Sequence, residues 1–138
     1  MEIRPYSECD EEQVVALWRE VFPDAPPWND PARDIAHKRA VQPDLFLLAI
    51  EGERVVGTVM AGDDGHRGWL HLVAVSPRSR RLGVGRRLVV EAEGRLAARG
   101  CPKVNLQVRS GSQSALEFWE RLGYGREERV SFGKRLGA

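Results

Sequence analysis

Three stretches in the middle of the chain, residues 45–50, 54–61 and 69–76, carry the apolar and β-branched pattern of strands. Glu51-Gly52-Glu53 joins the first two, and a second glycine-containing turn covers residues 62–66. Short connections of this kind between apolar runs are typical of β-hairpins. The three stretches therefore predict an antiparallel meander.

Apolar residues at helical spacing predict four helices around this meander. The helices are predicted over residues 14–22, from Asp30 to before Pro43, from Gly83 to Gly100, and from Ser114 to Gly123. Shorter runs predict further strands at residues 2–6, 103–109 and 130–136. The order β-α-α-β-β-β-α-β-α-β predicts one α/β (α+β) domain over residues 1–138, with a mixed sheet and helices on both faces.

Composition and charge argue against several classes of partner. The chain has 138 residues, 42% hydrophobic and 30% charged, with a formal net charge of +1. This balance argues against a nucleic-acid partner, and no apolar run reaches the roughly 18–20 residues that span a membrane. Cys9 and Cys101 form no C-x-x-C pair and no ligand cluster with the histidines, so no metal is expected. We expect a cytoplasmic protein with reduced cysteines, and one disulfide is the alternative.

Residues 73–87 are the most informative stretch. A β-branched strand ends at Pro77, five arginines and no acid follow, and Gly83 and Gly85 open a helix. Amides at a helix start bind anions, and glycine lets a ligand approach the backbone closely. The stretch predicts a phosphate site, although two glycines that let a helix pack tightly on a sheet give the same pattern. No P-loop motif is present, and Leu88 stands where a dinucleotide fingerprint needs a third glycine.

Two motifs resemble those of the GNAT superfamily of N-acetyltransferases. Residues 80–85, Arg-Arg-Leu-Gly-Val-Gly, are similar to its R/Q-x-x-G-x-G/A motif. Residues 112–124, which contain Ala115, Phe118 and Gly123, are similar to its N-x-x-A-x-x-[FL]-Y-x-x-x-G-[FY] motif. The element order also resembles the GNAT fold. The resemblance covers nearly the whole chain and implies a mixed, mostly antiparallel sheet.

The resemblance implies acetyl-CoA as the co-substrate. In the family, the strand before the motif pairs with the pantetheine arm, and amides at the helix start hold the pyrophosphate. A bulge in that strand places an amide, here near Val73, where it polarises the thioester carbonyl. Carried onto this sequence, the cofactor-binding residues are Val73, Ala74, Val75, Arg80, Arg81, Leu82, Gly83, Val84, Gly85, Arg86 and Ser112.

His71 is the candidate for proton transfer, and Trp119 occupies the position of the family's acid. Strict alternation places His71 on the same strand face as Val73 and Val75, and an ordinary pKa near ~6.5 suits a base. Residues 70–75 also resemble a strand of arylalkylamine N-acetyltransferases whose histidine transfers protons. A histidine hydrogen-bonded within the sheet is the alternative. Trp119 occupies the position of the family's tyrosine, whose hydroxyl protonates the departing sulfur, and an indole cannot act as that acid.

The acceptor pocket is predicted between the loop at residues 23–34 and the turn at residues 63–67. Trp28 would stack on the acceptor, and Asp30 and Asp34 would attract a cationic amine. His66 would line the mouth. Each residue has a structural alternative: a lid on the core for Trp28, helix-start roles for the two aspartates, and a plain turn position for His66.

These features predict an acetyl-CoA-dependent N-acetyltransferase that acts on a primary amine of a small molecule or peptide, by direct transfer in a ternary complex. A CoA-binding GNAT module with weak or no catalysis, serving as a sensor, is the alternative because of Trp119. No nucleic-acid or membrane partner is expected, and the protein is expected to be a monomer or a homodimer.

Overall fold

A computed structural model describes residues 1–137 of the chain. They fall into two compact units, Met1–Gln107 and the segment from Val108 onward, and each is described by itself. The first unit contains β1 (Glu2–Pro5), α1 (Glu11–Val21), α2 (Pro31–Ala40), β2 (Phe46–Glu51), β3 (Arg54–Asp63), β4 (Gly68–Val75), α3 (Val84–Ala98) and β5 (Val104–Asn105). The second unit contains α4 (Gln113–Arg121).

The first unit is built on a five-stranded sheet in the order β1-β2-β3-β4-β5. The three pairings from β1 to β4 are antiparallel, and β5 pairs with β4 in parallel. The parallel pairing follows from the crossover through α3, because a helix returns the chain to the same end of the sheet. The predicted mixed, mostly antiparallel sheet and its central meander are confirmed.

One face of the sheet packs on α1 and α2. Phe46, Leu48 and Ile50 alternate along β2 and form one buried cluster with residues of the two helices. The helical members of that cluster are Val14, Leu17, Trp18 and Ile35. The periods of two along the strand and about 3.6 along each helix bring these apolar positions together.

The opposite face packs on α3 at two glycines. A Cβ at Gly57 would lie 2.8 Å from Leu88 Cδ1, and a Cβ at Gly68 would lie 2.9 Å from Leu96 Cδ1. Both distances are shorter than side chains tolerate, so glycine at these positions lets the helix approach the sheet closely. Helices therefore cover both faces, as the sequence predicts.

The two strands predicted at the C-terminal end differ from the structure. The strand predicted over residues 103–109 is limited to Val104–Asn105. The one predicted over residues 130–136 does not form, and Val130, Phe132 and Leu136 are exposed. An apolar alternation becomes a strand only where a neighbouring strand satisfies its backbone, and within the described part of the second unit there is none.

Two further findings concern the predicted environment of the chain. Within residues 1–137, no helix combines the length and apolar composition that a membrane crossing requires. Cys9 and Cys101 are both free thiols. The structure therefore contains no disulfide between them.

Candidate functional site

The basic turn, residues 76–83, links β4 to α3. Its chain passes through one 3₁₀ turn at Pro77–Ser79 and then through positive φ angles of 66° at Arg81 and 81° at Gly83. Glycine adopts such angles freely, but a left-handed arginine costs roughly 1–2 kcal/mol. Backbone strain of this kind is concentrated at binding sites, which marks the turn as a candidate.

The start of α3 combines backbone donors with positive charge. The amide of Arg87 donates to the Gly83 carbonyl at 3.1 Å, so the three amides before it have no partner inside the helix. Five exposed arginines surround this end, and within residues 1–137 none of them has a carboxylate within 4.0 Å: Arg78, Arg80, Arg81, Arg86 and Arg87. The local chemistry fits an anion such as a pyrophosphate.

A β-bulge interrupts β4 at Leu72. Thr58 pairs with Ala74 and Met60 pairs with His71, so the same interval contains one more residue in β4 than in β3. Leu72 takes up the extra length with a φ of 50°, in the left-handed region. The bulge that the family resemblance implies is therefore present, immediately before Val73.

A buried hydrogen-bond chain supports this bulge from the side of α1. The Trp18 indole donates from Nε1 to Thr58 Oγ1 at 2.9 Å, and the Thr58 hydroxyl donates to the Leu72 carbonyl at 2.8 Å. Thr58 is 0% exposed. A buried polar chain in which every member has its partner specifies one geometry, because each alternative leaves a polar group without a hydrogen bond.

Within residues 1–107, the outer edge of β4 has no partner strand beyond Trp69. β5 pairs with β4 only at Gly68 and Trp69, and within residues 1–107 no strand continues along residues 70–75 on that side. An open edge offers backbone donors and acceptors to an extended ligand. The segment Val73–Val75 lies between the bulge and the basic turn, so it connects the two features.

The bulge corrects the placement of His71. His71 pairs with Met60, whereas Val75 pairs with Gly57 on the face covered by α3. An extra residue in a strand reverses the alternation beyond it, so His71 lies on the opposite face from Val73 and Val75. The shared face expected from strict alternation is wrong, and His71 is turned toward the side of α1 and α2.

The imidazole of His71 lies beside an aromatic ring and within the influence of a lysine charge. Its ring stacks on Trp69 at a centroid distance of 6.3 Å and an interplanar angle of 8°. The residue as a whole is exposed to solvent. The surrounding protein atoms still remove enough water to lower its pKa, and the positive charge of Lys38 lowers it further. Both effects favour the neutral imidazole, the form that accepts a proton.

An open cleft of about 400 Å³ lies in front of His71. It is lined by Asn29, Asp34, His37, Lys38, Val41, Met60, His71 and Leu72. Burial raises the pKa of the Asp34 carboxyl above its ordinary value. The cleft thus joins the bulge to charged side chains of α2.

The other predicted acceptor residues lie outside this lining. Trp28 is half exposed on the loop before α2, and Asp30 is the exposed N-cap residue of that helix. His66 lies in the turn between β3 and β4, where its amide donates to Asp64 Oδ1 at 2.8 Å. Asp34 and His71 thus share one lining, which does not include these three residues.

Sequence reasoning missed three residues that shape the site: Lys38, Thr58 and Leu72. Lys38 follows the buried Ile35 by three positions, so a lysine on the apolar stripe of α2 was a readable signal. Thr58 is likewise the polar member of an apolar strand. Nothing in the local sequence marks Leu72, because leucine rarely adopts a positive φ.

Known proteins are similar to this chain in sequence and in fold. The sequence profile of the Acetyltransferase (GNAT) family matches residues 11–124. An acetyltransferase of Yersinia enterocolitica is 41% identical over 136 residues, which cover 99% of this chain and 96% of that protein. An acetyltransferase of Sodalis glossinidius is 43% identical over 137 residues, which cover 99% of this chain and 96% of that protein.

The chain belongs to the GNAT acetyltransferase family. The resemblance seen in its two motifs is confirmed, and so is the expectation of an acetyltransferase at this level. Among solved structures, an aminoglycoside N-acetyltransferase in complex with the bisubstrate analogue CoA-S-monomethyl-acetylneamine superposes with a TM-score of 0.78 at 20% identity, covering 99% of this chain and 98% of that one. This likeness supports the GNAT fold.

The second GNAT motif lies in the other unit. Ser112 is the N-cap residue of α4, and its carbonyl accepts the amide of Leu116 at 3.1 Å. Trp119 makes edge contacts with Phe118 and Tyr124, at centroid distances of 4.9 and 5.2 Å. The indole at the family's tyrosine position is therefore held in an aromatic cluster of its own unit.

We predict that Thr58→Val destabilises the protein by about 1–3 kcal/mol, although the two side chains have nearly the same shape. The change leaves the Trp18 indole N–H and the Leu72 carbonyl without their buried partner. Urea unfolding followed by tryptophan fluorescence measures the loss. Thr58→Ser is the matched control, because it keeps the hydroxyl and removes only a methyl group. A Thr58→Val protein as stable as the wild type would contradict the assignment.

Proposed function

We propose that this GNAT protein transfers the acetyl group of acetyl-CoA directly to a primary amine of a small molecule or peptide, in a ternary complex. The observation that carries the proposal is the bulge at Leu72. Leu72 lines the cleft that contains His71, and the edge segment Val73–Val75 follows it directly. One short segment of β4 therefore borders both a donor site and an acceptor site.

The chemistry of the first unit fits the donor. The amides at the start of α3 that have no partner inside the helix, together with the exposed arginines beside them, suit a pyrophosphate. The open edge over Val73–Val75 suits the two amide groups of a pantetheine arm, which pairs as a strand does. Arg80 Nε donates to the Val75 carbonyl at 3.3 Å, a long bond that a pantetheine amide would replace.

Direct transfer makes two demands on the acceptor side. The amine nitrogen forms a bond to the thioester carbon as the carbon–sulfur bond breaks, and CoA leaves as a thiolate. An amine with a pKa near 10.4 is neutral in only ~0.04% of molecules at pH 7. Removing its proton therefore costs about 4.6 kcal/mol, and a neutral base near the amine offsets part of this cost.

We assign that base to His71. Its lowered pKa keeps the imidazole neutral at pH 7, and it lines the cleft beside the bulge. The proton taken from the amine passes to solvent or to the departing thiolate. A thiol pKa near ~8.5, by analogy with cysteine, lets the thiolate depart without the tyrosine acid that the family usually has.

Trp119 motivates a second candidate function. A GNAT module that binds CoA and transfers acetyl groups weakly or not at all would retain the donor site without the acid. Release of free CoA thiol over a panel of polyamines, amino acids, aminoglycosides, arylalkylamines and peptide N-termini separates the two. Turnover with any of them supports the transferase, and binding of acetyl-CoA without turnover supports the module.

We predict that acetyl-CoA at about 100 times its Kd stabilises the protein by about 2.7 kcal/mol. For a chain of this length the gain corresponds to a rise of roughly 5–15 °C in Tm. Differential scanning fluorimetry measures it, with NAD and ATP as controls that share a pyrophosphate but lack the pantetheine arm. The controls should shift Tm far less. No shift with saturating acetyl-CoA would rule out both candidate functions.

We predict that the kcat/KM of the wild type, divided by that of His71→Gln, increases as the pH rises. The ratio should be about 100 or more above pH 7, where His71 is neutral. It should fall toward one as the pH drops through a pKa below His71's ordinary 6.5. Taking the ratio cancels the ionisation of the acceptor amine, which is common to both proteins. A ratio that stays constant from pH 5 to 9 would remove His71 as the base.

A further inference from the structure

The cleft beside His71 contains a buried cation. Lys38 lies on α2 with 9% exposure and lines the cleft together with His71 and Met60. Lysine is almost never buried to this degree unless it is paired. Burial lowers the pKa of its ammonium, which shows that the surroundings disfavour the charge.

Protein groups compensate this ammonium poorly. Within residues 1–137 its hydrogen bond runs to Gln42 Oε1 at 3.4 Å, and that oxygen already accepts the amide of Asp63 at 3.0 Å. No carboxylate of the described residues lies within 4.0 Å of Lys38 Nζ. Asp44 attracts Lys38 from farther away, and its own carboxylate lies 3.8 Å from Arg99 Nη1.

A carboxyl group also lines the same cleft. Asp34 precedes Lys38 by one helical turn and also lines the cleft, yet the two form no ion pair among the described residues. Residues four apart on a helix share a face and readily pair when their side chains turn toward each other. The cleft therefore presents one positive and one negative group separately.

We propose that the acceptor is an amino carboxylate, which places its carboxylate at Lys38 and its amine at His71. The inference rests on the proposed acetyl transfer and adds the class of acceptor. A single carboxylate matches the charge of one ammonium, and it supplies the hydrogen-bond acceptor that the protein does not. Asp34 attracts the ammonium form of the same molecule to the cleft before its proton is removed.

Matched acceptors test the proposal in the full-length protein. Each pair differs only by the carboxylate, as phenylalanine differs from phenethylamine and lysine from cadaverine. Thiol release should show the amino acid preferred in at least one pair. Lys38→Met should lower kcat/KM for that amino acid by roughly 10–100-fold, the range of one charge-assisted hydrogen bond. The loss for the decarboxylated amine should be much smaller, because there Lys38 acts only through the pKa of His71, and Lys38→Arg should restore part of the loss for the amino acid.

Two controls separate binding from folding. Lys134→Met removes an exposed lysine of the C-terminal segment and should change neither acceptor. The Tm rise with acetyl-CoA should persist in Lys38→Met, because the donor site is untouched. Equal losses for both members of every pair, or equal use of both by the wild type, would overturn the proposal.

A second readout does not need turnover. The chain has three lysines, so the ε-carbon signal of Lys38 is readily assigned by NMR with labelled lysine. Phenylalanine or lysine added to the CoA complex should shift it, and the decarboxylated amines should not. If no amino acid moves the signal while acetyl-CoA still raises Tm, this inference fails and the proposed acetyl transfer stands. If acetyl-CoA gives no shift in Tm, the proposed function itself fails.

Discussion

The hydrogen-bond chain from Trp18 through Thr58 to the Leu72 carbonyl is the interaction on which the rest of the site depends. It lies in the core between α1 and the sheet, where a polar group without a partner is costly. Thr58 Oγ1 accepts a hydrogen bond from the Trp18 indole, and the Thr58 hydroxyl donates one to the Leu72 carbonyl. Both neighbours therefore have a partner, and the bulge is supported from the side of α1. A leucine at positive φ costs conformational energy, and these buried hydrogen bonds offset that cost.

The bulge determines which groups meet. Before it, His71 points to the face of α1 and α2, where the cleft lies, and beyond it Val73 and Val75 lie on the other face. The backbone edge of the same strand remains open toward the basic turn. A short stretch of β4 thus joins the arginine-rich start of α3 to a cleft with charged side chains, and the two regions differ in their electrostatics. The charged side chains at the start of α3 are all positive, whereas the cleft contains both Asp34 and Lys38.

Features encoded by local chemistry could be predicted from the sequence. The meander, the four helices and the glycine-opened start of α3 follow from periodicity and turn residues, and the two motifs identified the family. The bulge could not be derived from alternation, because alternation presupposes a regular strand, and the error in placing His71 follows from that. The missing strand at residues 130–136 has a related cause, since its apolar pattern needs a partner that the local sequence does not supply. The sequence does show Lys38 on the apolar stripe of α2, but the degree of its burial depends on how α2 packs against the sheet.

A crystal structure of the protein with CoA tests the central claim most directly, namely that the bulge joins the donor edge to the acceptor cleft. The account predicts pantetheine amides hydrogen-bonded to the main chain of Val73–Val75, pyrophosphate oxygens at the amides that open α3, and the sulfur at Leu72, facing the cleft with His71. CoA bound away from the edge of β4, or a sulfur directed to the face of the sheet that α3 covers, would contradict it.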